Sequence, residues 1–465
     1  MWTACSLAVL TGLALVAHAA AQSGTDALSP SASSADFSTP IVKGSGSTAA
    51  SELTRAALTN ASATGNAQMS LTYDSVGSGQ GQKNLLQNAY DYAISDVPLS
   101  EAVYNSSAKD LFQIPFAINS VTIVYNISGI PSGALRLDRP TLAAIYSCDI
   151  TLWNDPIIAG LNPGLALPTR PITVVVRTDA SGTTQQVTEY LAADANTWTL
   201  GSGKTIGWPK CVVTVQGSEG VVSYVSANTL SIGYVEYGQA RKGGVSVAAL
   251  KNNAGAFVTP WQANITRMAN DLVLPPSAAS AQWEHVNFLS LVGAYVYPIC
   301  GLEFIMLNIN QTSKGYMAST IMKEFTLYLL SDAVQYCMQN YGYTAIPLRL
   351  CRLARGAART IVVAPRPPDA DAISLPSSFI NVYIAPPPGT APGAAPGAAP
   401  GAASSGAPAL ASAPTSSQPK PGMPNPNLPL VDHLAGSPLV VPGNGVIAAA
   451  GRRLLDTWSE WAEQF

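Results

Sequence analysis

The sequence predicts an α/β fold of mainly parallel sheets, divided into two lobes. Two observations carry that expectation. Short runs rich in β-branched and aromatic residues alternate with helical patterns along one continuous block. That block runs from about Thr39 to Leu353, longer than the roughly 250–300 residues one core usually serves. Strands are expected at Met69–Tyr73, Ser120–Asn126 and Ile172–Arg177. Helices are expected at Ser47–Leu58, Thr141–Ile145, Thr183–Ala193 and Ser319–Tyr336.

The ends of the 465-residue chain have a different character. Residues 1–21 open on MWTACSLAVLTGLALVAHAA, a short apolar run closing on the small-residue triplet Ala17-His18-Ala19. That reads as a signal peptide, although its first residues lack Lys or Arg. A Ser/Ala-rich linker (22–38) follows. From 366 to 444 the composition shifts to Pro, Ala, Gly and Ser, with a short Pro-Gly-Ala-Ala repeat in the run PGTAPGAAPGAAPGAASSGAPALASAP; it builds no core and predicts a disordered spacer. In the closing segment (445–465), Leu454, Trp458, Trp461 and Phe465 recur at helical spacing, giving a short amphipathic stretch. No later run is apolar for the roughly 18 residues that a transmembrane helix needs. A secreted, extracellular or periplasmic protein is therefore expected, as a monomer.

Composition excludes several chemistries. Lys+Arg 24 against Asp+Glu 27 leaves a net charge of −3, so no basic field exists to hold nucleic acid. Of three histidines, His18 and His433 lie in the terminal segments, leaving His285 alone. A histidine-based triad or multi-histidine metal site is thereby removed, and no cofactor is expected. Without its leader the chain keeps Cys148, Cys211, Cys300, Cys337 and Cys351, none in a C-x-x-C pair. Two disulfides and one odd thiol are expected, with the pairing open. Arg349, Arg352, Arg355 and Arg359 read as a solvated helix face.

Three small, Gly/Ser/Thr-rich segments sit at strand-to-helix junctions: Gly44-Ser45-Gly46-Ser47-Thr48, Gly77-Ser78-Gly79-Gln80-Gly81 and Asp179-Ala180-Ser181-Gly182-Thr183-Thr184. The first turn of a helix offers unpaired N–H groups and a positive dipole end. Glycine lets backbone approach an oxyanion, and hydroxyls add donors. Arg177 precedes the third segment, with Asp179 two positions on and able to orient its guanidinium. Asp96, after the apolar run YAIS, is a carboxylate in an otherwise anion-seeking set, and suits a ligand oxygen that carries a proton.

Ordered along Ile41 to Pro347 are GSGST, YDSVGSGQG, YAISDVPLS, FQIPFAINSVTIVYNISG, LAAIYSCDITLWNDPIIAGLNPGLALP, ITVVVRTDASGTT and SIGYVEY. In these the sequence resembles the phosphate-binding protein of bacterial ABC phosphate importers, within the type II periplasmic-binding-protein (PBP) superfamily. The resemblance implies a phosphate-binding-protein-like domain over 39–355, with lobe I at 39–118 and 296–355, lobe II at 121–293, and inorganic phosphate in the cleft. It makes Thr48 and Ser78 hydroxyl and backbone donors, Ala49 a backbone donor where the family commonly has a bulky residue, and Asp96 the proton-accepting carboxylate. Arg177 becomes the cationic ligand, Asp179 its orienting partner, and Ser181, Gly182 and Thr183 the remaining donors. The partner it implies is a membrane transporter or a surface receptor, and the activity is binding without catalysis.

Three other readings compete. Gly44-Ser45-Gly46-Ser47-Thr48-Ala49 matches a dinucleotide-binding G-x-G-x-x-A, but its candidate acid, Asp74, falls 30 positions on instead of about 20. Gly201-Ser202-Gly203-Lys204-Thr205 mimics the end of a P-loop, yet Trp198 replaces the first glycine and Pro209 interrupts the following helix; a surface loop is expected there. The spacer leaves room for a secreted matrix or adhesion protein that reuses the binding fold.

Overall fold

The computed structural model describes residues 41–64, 70–275 and 282–368. The expected leader, the linker, the closing segment and all of the spacer from 369 onward lie outside those residues. The chain begins with β1 (Ile41–Gly46), α1 (Ser51–Thr64), β2 (Ser70–Ser75), α2 (Ser78–Leu86), β3 (Tyr92–Ser95) and α3 (Glu101–Ser107). A long strand, β4 (Leu111–Asn126), leads to β5 (Arg136–Leu137), α4 (Arg139–Tyr146), α5 (Pro156–Leu161), β6 (Thr173–Arg177) and α6 (Gly182–Ala192). Next come β7 (Val213–Val215), α7 (Gly217–Ala227), β8 (Ser231–Glu236), α8 (Tyr237–Gly243), β9 (Ser246–Val247), β10 (Ala249–Lys251), β11 (Phe257–Val258) and α9 (Ile265–Asn270). The last strand is β12 (Cys300–Asn308), followed by α10 (Gly315–Leu329), α11 (Asp332–Cys337) and α12 (Leu348–Arg359).

The main sheet has the order β2-β1-β3-β12-β4-β8-β6-β7, with β9 also on β4, and β11-β10-β5 form a small second sheet. β4 joins the two halves of the main sheet. Its residues Leu111 to Ser120 pair with β12, and Val121 to Asn126 pair with β8. Fifteen of its sixteen residues are buried, Gln113, Asn119, Ser120 and Thr122 among them, so it shows no regular alternation of apolar and polar residues. Pro115 lies in it without breaking it. The β4–β12 register shifts between Glu303, opposite Ala117, and Phe304, opposite Pro115, and a bulge is where a residue without an N–H fits a ladder.

Several sequence expectations need correction. The sheet is mixed rather than mainly parallel: β1–β2, β1–β3, β6–β7 and β6–β8 are parallel, whereas β3–β12, β12–β4, β4–β8 and β4–β9 are antiparallel. The two long crossing strands, running side by side in opposite directions, impose that mixture. The strand expected from Ser120 begins at Leu111. The helix expected over Ser319–Tyr336 is two helices, because Ser331 caps α11 by accepting from the Val334 N–H. Cys148 and Cys211 form the one disulfide among the described residues, while Cys300, Cys337 and Cys351 remain as buried thiols facing the interior. The arginine run is not wholly solvated. Arg349 donates to the carbonyls of Asn270 and Leu272, and Arg355 to that of Leu330, satisfying acceptors at the C-terminal ends of α9 and α10. Among the described residues, no helix is long and apolar enough to cross a membrane.

Close backbone contact locks the first two junctions together. Gly46 O accepts from the N–H groups of Val76 (3.0 Å) and Gly77 (2.8 Å), and the Ser47 N–H donates to Ile94 O (2.9 Å). α2 then passes so near β1 that a Cβ at Gly81 would lie 2.4 Å from Gly46 Cα. Alanine in a helix interior normally gains about 0.5–1 kcal/mol over glycine. Here Gly81→Ala is expected to destabilise the protein by about 1–3 kcal/mol, because β1 must move to admit the methyl. Urea denaturation of the variant checks this; a higher midpoint than wild type contradicts the packing described.

Candidate functional site

The three junctions converge where β4 passes from β12 to β8. β1 and β3 bring Thr48 and Asp96, the first turn of α2 brings Ser78, β6 ends on Arg177, and α6 starts with Gly182 and Thr183. Each is buried, Arg177 to 4% exposure and Asp96 to 3%, which is unusual for charged groups and requires partners.

Arg177 finds its first partner two residues away. Its Nε donates to Asp179 Oδ1 at 2.7 Å, and Nη2 bonds Asp179 Oδ2, a bidentate ion pair whose side chains are 1% and 5% exposed. Burial opposes both charges, yet the pairing outweighs it: the Arg177 pKa moves up and the Asp179 carboxyl moves down. Asp179 also accepts from the Gly217 N–H at 3.0 Å, at the start of α7. With that edge of the guanidinium fixed, Nη1 donates to Ser218 Oγ (3.1 Å) and Nη2 to Thr48 Oγ1 (2.9 Å).

Asp96 anchors the other side. Its Oδ1 accepts from Ser78 Oγ at 2.7 Å, and Thr183 Oγ1 stands 3.1 Å from Oδ2. Gly182 belongs here for lack of a side chain, since a Cβ would come within 2.9 Å of both Asp96 Oδ2 and Ser78 Oγ. The Ser78 and Thr183 turns also meet through their backbones, with the Gly79 N–H donating to Ala180 O at 2.9 Å.

Ala49 and Ser181 stand differently. Ala49 is buried, and its carbonyl accepts from Gln239 Nε2 at 3.1 Å. The Ser181 N–H donates to Lys204 O (3.0 Å), while its Oγ caps α6 by accepting from the Thr184 N–H (3.1 Å). The hydroxyl proton is what Ser181 has left to offer. The loop around Lys204, expected at the surface, contributes to a wall of the site: Lys204 Nζ donates to Gln82 Oε1 at 2.6 Å, and burial lowers its pKa.

Sequence reasoning missed two residues. Ser218 Oγ lies 3.0 Å from Thr48 Oγ1 and 3.2 Å from Glu236 Oε2, and its N–H donates to Thr48 Oγ1 at 3.1 Å. Glu236, 1% exposed, also contacts Thr183 Oγ1 through Oε1. Burial, reinforced by the charge of Asp96, pushes the Glu236 carboxyl up to about 7 against the pull of Thr183 and Arg177. The signals were present. Gly217-Ser218 is a fourth small-residue junction, and Glu236 ends the apolar run SIGYV much as Asp96 follows YAIS.

The arrangement gathers hydroxyl donors, the guanidinium of Arg177 with its partner Asp179, and the carboxyl groups of Asp96 and Glu236 into one buried cluster. It suits a small oxyanion that carries a proton. Among the described residues no cluster of His, Cys, Asp and Glu could hold a metal ion.

Comparison with known proteins fits this geometry. A family model described as a PBP superfamily domain matches residues 16–333. The chain is 38% identical over 248 residues to the phosphate-binding protein PstS of Pasteurella multocida, covering 51% of this chain and 68% of that protein. It is 35% identical over 285 residues to PstS of Xylella fastidiosa, covering 60% and 71%. Among solved structures, the periplasmic phosphate-binding protein PfluDING aligns with a TM-score of 0.54 at 21% identity, covering 70% of this chain and 99% of that one. The ancestral soluble variant of the human phosphate-binding protein aligns at 0.55 and 19%, covering 69% and 98%. The structural matches speak for the fold, the sequence matches for descent, and together they show that the chain belongs to the PBP superfamily and, within it, to the family of the PstS proteins.

Proposed function

We propose that this protein binds inorganic phosphate outside the cytoplasm, in the cleft between lobe I (39–118 and 296–355) and lobe II (121–293), and hands it on to a membrane transporter without chemical change. The observation that carries the reading is the meeting of Thr48, Ser78 and Asp96 with Arg177, Gly182 and Thr183 across β4. Every hydrogen bond these groups make with one another is one that a tetrahedral oxyanion can take over. Thr48, Ser78, Ser181 and Thr183 give hydroxyls, Gly182 opens α6, Ala49 lies in the turn before α1, and Arg177 gives its Nη edge while Asp179 holds the guanidinium. The PstS relatives, named for phosphate binding, support the same ligand.

Arg177 is the cation in direct reach of the ligand. Arg177→Ala is expected to weaken phosphate binding by at least about 1.5–3 kcal/mol, the usual worth of a charged hydrogen bond. Asp179→Ala, which loses only the orientation, is expected to weaken it less. Equilibrium dialysis with radiolabelled phosphate ranks the two; wild-type affinity in the Arg177 variant places the site elsewhere.

Asp96 selects among tetrahedral anions. Phosphate near neutral pH carries one or two protons and can donate to a carboxylate; sulfate carries none and meets a like charge. That mismatch costs several kcal/mol in a desolvated site, where each ~1.4 kcal/mol is tenfold in affinity. Sulfate in large excess is expected to leave bound phosphate in place on the wild type and to displace it from Asp96→Asn. Comparable sulfate competition on both proteins refutes this role.

A further inference from the structure

Thr183 poses a problem in proton counting. Its Oγ1 stands within hydrogen-bond distance of two carboxylates, Asp96 Oδ2 at 3.1 Å and Glu236 Oε1. A hydroxyl has one proton, and an ionised carboxylate has none to give. One of the three groups must therefore bring an additional proton.

The neighbours indicate which. Asp96 Oδ1 and Glu236 Oε2 each accept from a serine, so the added proton sits on the second oxygen of one of them, and burial beside Asp96 favours Glu236. On the other side, Thr48 Oγ1 accepts from Arg177 Nη2 and from the Ser218 N–H, which leaves the Thr48 proton for Ser218 Oγ. Ser218 Oγ also accepts from Arg177 Nη1, and so its own proton goes to Glu236 Oε2 at 3.2 Å. Every bond is then satisfied if Glu236 is a neutral acid: Oε2 accepts from Ser218, Oε1–H donates to Thr183, and the Thr183 proton goes to Asp96 Oδ2, a bond that a ligand oxygen can take over.

We propose that Glu236 is a proton-holding positioning residue of the anion site, whose neutral form commits the Thr183 hydroxyl to the ligand and whose ionised form withdraws it. The proposal rests on the phosphate reading given above. Ionisation harms binding twice, because the carboxylate takes the Thr183 proton for itself and adds a charge of the ligand's sign. The titratable groups facing Glu236 act in both directions. Asp96, beyond β3, and Glu303, on β12, oppose its charge, whereas Arg177, on β6 with its partner Asp179, favours it; Tyr343, just before α12, is also within its field. Burial holds the Glu303 carboxyl well up as well, and its Oε2 accepts from Asn119 Nδ2 at 3.4 Å. Burial of Glu236 brings its ionisation to about pH 7, so the switch falls in the physiological range.

The test compares wild type with Glu236→Gln, which keeps a donor and an acceptor but cannot ionise. Phosphate dissociation constants are measured on both proteins at about pH 6, 7 and 8. The ligand's own titration is common to both and cancels in the ratio of wild-type to variant constants. That ratio is expected to rise about tenfold from pH 6 to pH 8, as the binding-competent fraction of the wild type falls. A ratio flat across the range overturns the proposal while leaving phosphate binding intact. A wild type that binds no phosphate at any pH overturns the phosphate reading, and this inference with it. Should the variant fail to fold, wild type labelled at glutamate Cδ answers instead. A carboxyl resonance titrating near pH 7 and driven upward by phosphate supports the proposal, since a ligand preferring the neutral form must raise its pKa. No such resonance, or one indifferent to phosphate, overturns it.

Discussion

A guanidinium sealed from water has to be neutralised where it lies, and Asp179 does this for Arg177. Taking such a pair out of water carries a large desolvation cost, and removing one partner typically costs about 3–5 kcal/mol. The pair is local, from residues two apart at the end of β6, so it forms wherever that strand forms. Its geometry then directs what surrounds it. Asp179 occupies the Nε edge and fastens the start of α7 through the Gly217 N–H, which turns the remaining guanidinium donors toward Ser218 and Thr48. Two segments separated by 129 residues in the chain meet on one side chain.

The second constraint is electrostatic. Asp179 and Glu236 act on Arg177, and Glu236 in turn shares its surroundings with Asp96 and Glu303, more acidic groups than one guanidinium balances. An anion site can tolerate that surplus only if protons are held there. Burial supplies the means by pushing Glu236 and Glu303 up while the ion pair keeps Asp179 down. Protonation is thus a property of the cluster, and a ligand bearing its own proton matches it where a bare dianion does not.

Much of this was legible in the sequence, for identifiable reasons. Small-residue junctions after apolar strands pointed to Thr48, Ser78 and Thr183: one such junction is an ordinary turn or helix cap, whereas three with few charged groups nearby suit an oxyanion. Ser218 and Glu236 carry the same two signals, but only the pairing of β8 with β4 and the hydrogen bonds of Ser218 to Arg177 and Glu236 bring them against the candidate residues. The antiparallel half of the sheet was hidden for another reason. β4 is buried on both faces and carries Pro115, so its first ten residues show no strand-like alternation, and the bulge that accommodates the proline exists only with β12 alongside. The cysteine count misled because number and spacing do not say which thiols meet: Cys148 and Cys211 do, whereas Cys300, Cys337 and Cys351 are buried thiols.

The central claim is that this cluster is a single anion site that takes phosphate as it comes from solution. Isothermal titration calorimetry of the purified protein with inorganic phosphate at neutral pH tests it most directly. The account predicts a saturable heat with one phosphate per chain and no added metal or cofactor. The absence of saturable heat, or saturation only with several phosphates per chain, would contradict it.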